Sequence, residues 1–218
     1  MRIRNGFVAA VVLAVVAGVM APGWSAPQPA VIPSPETWQV DIHLHGSPQE
    51  IELVLPGASE ATRYWYVLYT ITNNSGRDVT FYPKFEMFTD TFKLYRGGEQ
   101  AHPAIFESIR ARYVGTIPLL ESQESVTGRI LQGQDYARDS VAIFEDFDPN
   151  ATGVRVFMSG LSNESVFIPH PVDVDEETQK PREVLLRKTL MLEYQVSGDR
   201  LSPKHRSMLY QNRKWIMR

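Results

Sequence analysis

One stretch of this chain has few places it can go. Tyr64-Trp65-Tyr66-Val67-Leu68-Tyr69-Thr70-Ile71-Thr72 puts Tyr64, Tyr66 and Leu68 on one parity and Trp65, Val67, Tyr69 and Ile71 on the other. Side chains alternate across a strand, so this segment is apolar on both faces and belongs in the middle of a sheet covered on both sides. Asn73-Asn74-Ser75-Gly76 follows, residues that accept positive φ or bond their own backbone, so the chain is expected to turn there. Val79-Thr80-Phe81-Tyr82-Pro83 then reads as the return arm of a hairpin.

Around that hairpin, period-two segments separated by turn residues recur along the chain. Trp38, Val40, Ile42 and Leu44 alternate with Gln39, Asp41, His43 and His45, and Ile51, Leu53 and Leu55 lead into Pro56-Gly57, a type II turn pair. Pro83 lacks a donor, which places Phe81 to Met87 at a sheet edge or on a bulge. Phe92 to Tyr95, Val126 to Leu131, Arg138 to Phe144, Val154 to Ser159, Val166 to Ile168 and Glu183 to Val196 read as further strands. Pro169 to Pro181 reads as a long acidic loop. His102 to Tyr113 breaks the pattern, with Pro103 at a first helical position and Ile105, Ile109 and Tyr113 four apart, and is expected to be a short helix over one end of the strands. Ser202-Pro203 is expected to start a last helix reaching about Gln211, with Trp215-Ile216 closing as a strand. The pattern predicts an all-β chain, a β-sandwich of nine or ten strands with one or two short helices.

The N-terminus is set apart. Arg2 and Arg4 precede an apolar run from Phe7 to Ala21 and the small residues of Gly23-Trp24-Ser25, the layout of a signal peptide over residues 1–25 with cleavage after Ser25. The run falls short of the ~20 apolar residues that span a bilayer, so no membrane span is expected in the mature chain. Proline-rich residues 26–37 form an extended linker, and 38–218 a single domain. Fifteen prolines and fourteen glycines scattered over 218 residues suit many short strands joined by turns. The absence of cysteine rules out disulfides, thiolate metal sites and thiol nucleophiles, and in an exported protein it fits a bacterial envelope, periplasmic or secreted. Without Arg2 and Arg4 the 22 basic residues become 20 against 25 acidic ones, a charge of −5 that gives no reason to expect nucleic acid.

Tyr66-Val67-Leu68-Tyr69-Thr70-Ile71-Thr72-Asn73-Asn74-Ser75-Gly76-Arg77-Asp78-Val79, with Gly128-Arg129-Ile130-Leu131-Gln132-Gly133 and Val141-Ala142-Ile143-Phe144, resembles the immunoglobulin-like extracytoplasmic modules of bacteria. The resemblance covers about half of the mature chain and implies an Ig-like β-sandwich. The lack of a cysteine pair and the helix near Ala104 separate it from antibody-type domains.

Asp41-x-His43-x-His45 is the one constellation with metal-ligand chemistry, since residues two apart on a strand project to one side. With no further ligand in the sequence, the preferred reading is the wet face of a strand whose other face carries Val40, Ile42 and Leu44. Glu145, Asp146, Asp148 and Asn150 offer oxygens without the spacing or glycine of a calcium loop, which leaves an Asx-rich turn. Lys204, Arg206, Arg213, Lys214 and Arg218 make a basic C-terminal run that is either solvated charge on a terminal element, the commoner case, or a means of steering the tail to anionic lipid or cell-wall polymer. Motifs of serine hydrolases, zincins, P-loops and dinucleotide folds are missing, so no catalytic residue or cofactor is assigned. The expected function is a non-catalytic exported envelope protein, a structural module or one that binds a protein or cell-envelope polymer. Tyr82, Phe85 and Phe88 near one edge are the candidate contact patch, and the turns Asn73 to Asp78 and Gly160 to Glu164 are candidate recognition loops. The alternative is a metal-dependent hydrolase or metal carrier using Asp41, His43 and His45.

Overall fold

The computed structural model describes residues 27–30, 34–98, 101–198 and 206–218. The expected signal peptide lies outside them. Strands take up 55% of the structure and helix 8%, which makes the chain all-β.

The sheet that contains the doubly apolar segment explains the rest. Strand β3 (Ala61–Asn73) is flanked on one edge by β8 (Gly133–Glu145) and on the other by β1 (Asp41–Leu44) and β2 (Gln49–Val54), all antiparallel to it. β1 and β2 run the same way along β3, separated by a kink at Gly46-Ser47-Pro48. The β2–β3 hairpin closes through Pro56-Gly57, where Gly57 has φ +86° and Ala58 N–H meets Leu55 O at 2.9 Å, the type II turn expected from that pair. Both faces of β3 are buried as its sequence required. Trp65, Val67, Tyr69 and Ile71 belong to one core, and Tyr64, Tyr66 and Leu68 to another.

The first core lies between that sheet and a second one. Strands β6 (Leu94–Arg96), β5 (Lys84–Thr89), β9 (Gly153–Ser159), β11 (Pro181–Ser197) and β12 (Ser207–Met217) lie side by side, and β10 (Ser165–Val174) continues along the β9 edge of β11. Phe85, Met87, Val156, Met158, Leu190 and Leu192 of this sheet meet the odd-numbered face of β3. The second core is roofed by α1 (Pro103–Tyr113), whose Ile105 and Ile109 are fully buried against Tyr64, Tyr66, Leu68, Val141 and Ile143. α1 therefore covers the outer face of the first sheet instead of capping one end, because β3 and β8 present an apolar surface there that must be shielded from water. His102 caps α1 through Nδ1, which accepts from Ala104 N–H at 3.1 Å.

Four expectations are corrected by long-range pairing. β4 (Val79–Phe81) does not return along β3, whose two edges are already taken. It pairs with β7 (Gly128–Ile130) in a small separate sheet, and α2 (Gln123–Val126) precedes that strand. Pro83 splits Phe81–Met87 into strands of two different sheets, and β5 runs inside the second one between β6 and β9. The expected final helix is strand over residues 207–211, since pairing with the seventeen-residue β11 outweighs a local cap; Ser202 and Pro203 lie outside the described residues. The acidic loop is likewise mostly strand: β10 runs to Val174, β11 starts at Pro181, and only the turn at Asp175 to Lys180 lies between them.

Candidate binding surface

The Asp41, His43 and His45 face is where the strand pattern put it, on the outer side of β1. The two imidazoles meet edge to face with centroids 5.1 Å apart, while Asp41 turns away and accepts from Asn74 at 2.8 Å. His45 joins a different trio. Thr70 donates to Asp139 Oδ1 at 2.5 Å, so its oxygen accepts from His45 Nε2 at 2.7 Å. A nucleophile is activated when the imidazole stands between hydroxyl and carboxylate; here the hydroxyl stands between the other two, and the trio ties the end of β1 to β3 and β8. Among the described residues no group of three or more His, Asp or Glu is placed to hold a metal ion.

The recognition loops named above are occupied by intramolecular bonds. Asn73 is fully buried and donates to Arg77 O and Ile130 O, and Asp78 accepts from Arg129 and from Gln132 N–H. Those contacts hold the Asp78 carboxyl below its usual range, the Gln132 N–H first and Arg129 after it. In the other loop Ser162 donates to Trp38 O, Asn163 accepts from Trp38 N–H, and Glu164 pairs with Lys188 at 2.7 Å. That turn clamps the entering chain to the second sheet. The Asx-rich turn is also satisfied from within, with Asp146 accepting from the Trp65 indole at 2.8 Å and Asp148 accepting from Lys93 and from Asn150 N–H. Lys93, followed by that N–H, holds Asp148 well below the ordinary carboxylate range.

The aromatic patch does not assemble. Phe85 is 2% exposed inside the first core, Tyr82 is exposed in the link between β4 and β5, and Phe88 is half-buried on the outer face of the second sheet against Phe92. The basic run is dispersed too. Arg206 is buried, stacks 4.0 Å over Phe147 and donates to Phe147 O and Asp148 O, and burial lowers its pKa. Arg218 pairs with Glu86 and lies 4.2 Å over the Phe157 ring, and Arg213 reaches Ile42 O. Lys204 lies outside the described residues.

What is left uncommitted is an element that the sequence divides into a brief strand at Val166 to Ile168, an acidic loop, and the start of the strand at Glu183. β11 pairs with β9 and β12 only from Lys188 onward; from Pro181 to Arg187 its partner is β10. Arg187 and Arg218 exchange N–H to O bonds of 2.8 and 3.0 Å, and past that pair the β12 side of β11 has no strand among the described residues. Residues 165–187 therefore form a two-stranded hairpin that projects beyond the stacked sheets. Phe167 is 62% exposed, Val172 81% and Val174 43%, with Val166, Ile168, Val184, Leu185 and Leu186 half-buried. Two strands alone are marginal in water, and one with this much uncovered apolar surface is unusual. Pro169 and Pro171 remove donors along β10, which suits a strand with a free edge. The alternation of Val166, Ile168, Val172 and Val174 with those prolines was the signal available in the sequence.

No family model, curated protein or solved structure matches this chain. No helix among the described residues is long and apolar enough to cross a membrane.

Proposed function

We propose that this is a non-catalytic exported protein of a bacterial envelope, an Ig-like β-sandwich that binds another macromolecule through the hairpin at residues 165–187. The two antiparallel sheets over a shared core support the architectural part of this reading. The signal-like N-terminus and the lack of cysteine support export.

The observation that carries the binding role is the projecting hairpin. Phe167 and Val172 stand in water on a hairpin whose strands, from Ser165 to Arg187, pair with each other, while every other loop considered is bonded inward. Covering such side chains with a partner is worth about 1.5–3 kcal/mol each, enough to make two of them the centre of a recognition site. Open strand edges add main-chain bonding without any reactive group.

The test is retrieval from envelope extract with wild-type protein as bait against Phe167→Ser and Val172→Ser together. The Phe85→Glu variant suggested by the sequence is unsuitable, because it would place a carboxylate in the core. The proposal expects a stoichiometric partner that the double variant loses while keeping its thermal midpoint. Equal recovery by both baits, or no partner with either, would contradict it.

A further inference from the structure

We infer that the partner of the hairpin is a second copy of this chain, held head to tail, with the β10–β11 tip of one copy seated on the outer face of β5, β9 and β11 of the next. This rests on the reading of the hairpin as the binding element and goes on to name what it binds.

The receiving surface is marked by Phe92. It occupies the tight link between β5 and β6, where Phe92 N–H meets Thr89 O and Thr89 N–H meets Lys93 O, each at 3.0 Å. The turn requires a left-handed residue at that point, and Phe92 adopts φ +62°. Glycine fills such positions without strain, and a bulky side chain there costs stability. The ring gains little in return, being 85% exposed with an edge contact to Phe88 at 6.2 Å between centroids. Strained backbone clusters at functional sites, so a strained and exposed ring points to a contact outside its own fold.

Strand register places Phe92 beside an organised surface. Leu94, Phe88, Arg155 and Glu193 are successive cross-strand neighbours on the outer face, and Arg96, Glu86 and Lys214 lie in the next row. A cleft of about 300 Å³ opens among Phe88, Phe92, Arg155 and Glu193. Lys84, Arg96, Arg155, Lys214 and Arg218 outnumber Glu86, Glu193 and Asp90, the last of which lines the cleft, although the whole chain is acidic. The hairpin tip is its counterpart: Val172 and Val174 are exposed, and Asp173, Asp175, Glu176 and Glu177 outnumber Lys180 and Arg182. Each surface has an apolar anchor ringed by charge of the sign opposite to the other's.

The two cannot meet within one molecule. Pro181 and Glu193 lie on the same continuous strand, twelve residues or about 40 Å apart. Contact between different surfaces of like copies is heterologous, so it repeats into an open chain unless the rotation closes a ring.

Sedimentation of the protein recovered from its host tests this, alone and as Phe92→Gly and Val172→Ser variants. Wild type is expected to grow in mass with concentration and to dissociate as salt rises. Each variant should associate at least tenfold more weakly, with Phe92→Gly as stable to heat as wild type or more so. A mixture of the two variants should form a one-to-one pair, because each retains the surface the other lacks. A wild type that stays monomeric throughout, or association that survives both substitutions, would overturn the inference. If wild type is monomeric yet retrieves a different macromolecule through the hairpin, the inference falls and the proposed function stands.

Discussion

Gly160 has little freedom to change. It sits at φ +83° where the chain leaves β9, and a Cβ there would stand 2.1 Å from Tyr82 O. The left-handed backbone alone would charge alanine about 1–2 kcal/mol, and the backbone clash adds to that. Gly160→Ala should therefore lower the unfolding free energy read from urea denaturation by more than the left-handed penalty; a loss under about 1 kcal/mol would mean that β4, β5 and β9 are not packed as described. None of this could be read from the sequence, where Gly160-Leu161-Ser162-Asn163 looks like any exposed turn. The core residues were legible. Val67 and Ile71 have no exposed surface, as their place in a doubly apolar strand required, and either replacement by alanine should cost on the order of 1–4 kcal/mol in chemical denaturation. His43 and His45 were placed on the correct face, but the bond from His45 to Thr70 depends on β3 and β8, which sequence separation hides. Replacing both histidines by alanine should cost roughly 0.5–1.5 kcal/mol, about one hydrogen bond. Stoichiometric zinc or copper found by elemental analysis and lost in that double variant would instead make the metal-site reading the leading one.

Strands and the first helix announced themselves through local periodicity; their partners did not. β3 and α1 carry their own signatures, Tyr64 to Ile71 on two parities and Ile105 to Ile109 at helical spacing under a histidine cap. The hairpin drawn from Asn73 to Asp78 failed because a turn sequence says where a chain bends and not which edge is free. β8, sixty residues later, holds the edge of β3. The C-terminal segment failed in the opposite sense: Ser202-Pro203 is a sound local cap, but β12 finds a longer-range gain along β11. The projecting hairpin was missed because its acidic turn dominated the composition of residues 169–181, hiding the apolar alternation on either side.

At the scale of the whole molecule, acid is the condition that should undo the fold first. Burial alone would raise Glu164, yet the Lys188 ammonium and the Ala30 N–H outweigh it and hold the carboxyl below its usual range. Asp78 and Asp148 are lowered as well. Carboxylates with depressed folded-state values stabilise fully above their unfolded range, about 3.8 to 4.5, and lose that contribution as pH falls through the folded values. The thermal midpoint should thus decline below about pH 4.5, and Glu164→Gln should show a shallower acid limb; superimposable limbs would remove Glu164 from the account. On the alkaline side, burial and then the Tyr113 hydroxyl push Tyr66 up to about 12, so its contribution is complete below pH 10 and fades between pH 10 and 12.

The proposed function requires an exported domain whose hairpin is covered by a partner in place. A photo-reactive amino acid at Val172, activated in the living host and followed by fractionation, tests that most directly, with Asp135 on the exposed start of β8 as the control position. The account predicts a discrete adduct of higher mass from position 172, found in the envelope fraction and absent from position 135. A chain that stays at its own mass after activation at 172, or that is recovered uncleaved from the cytoplasm, would contradict it.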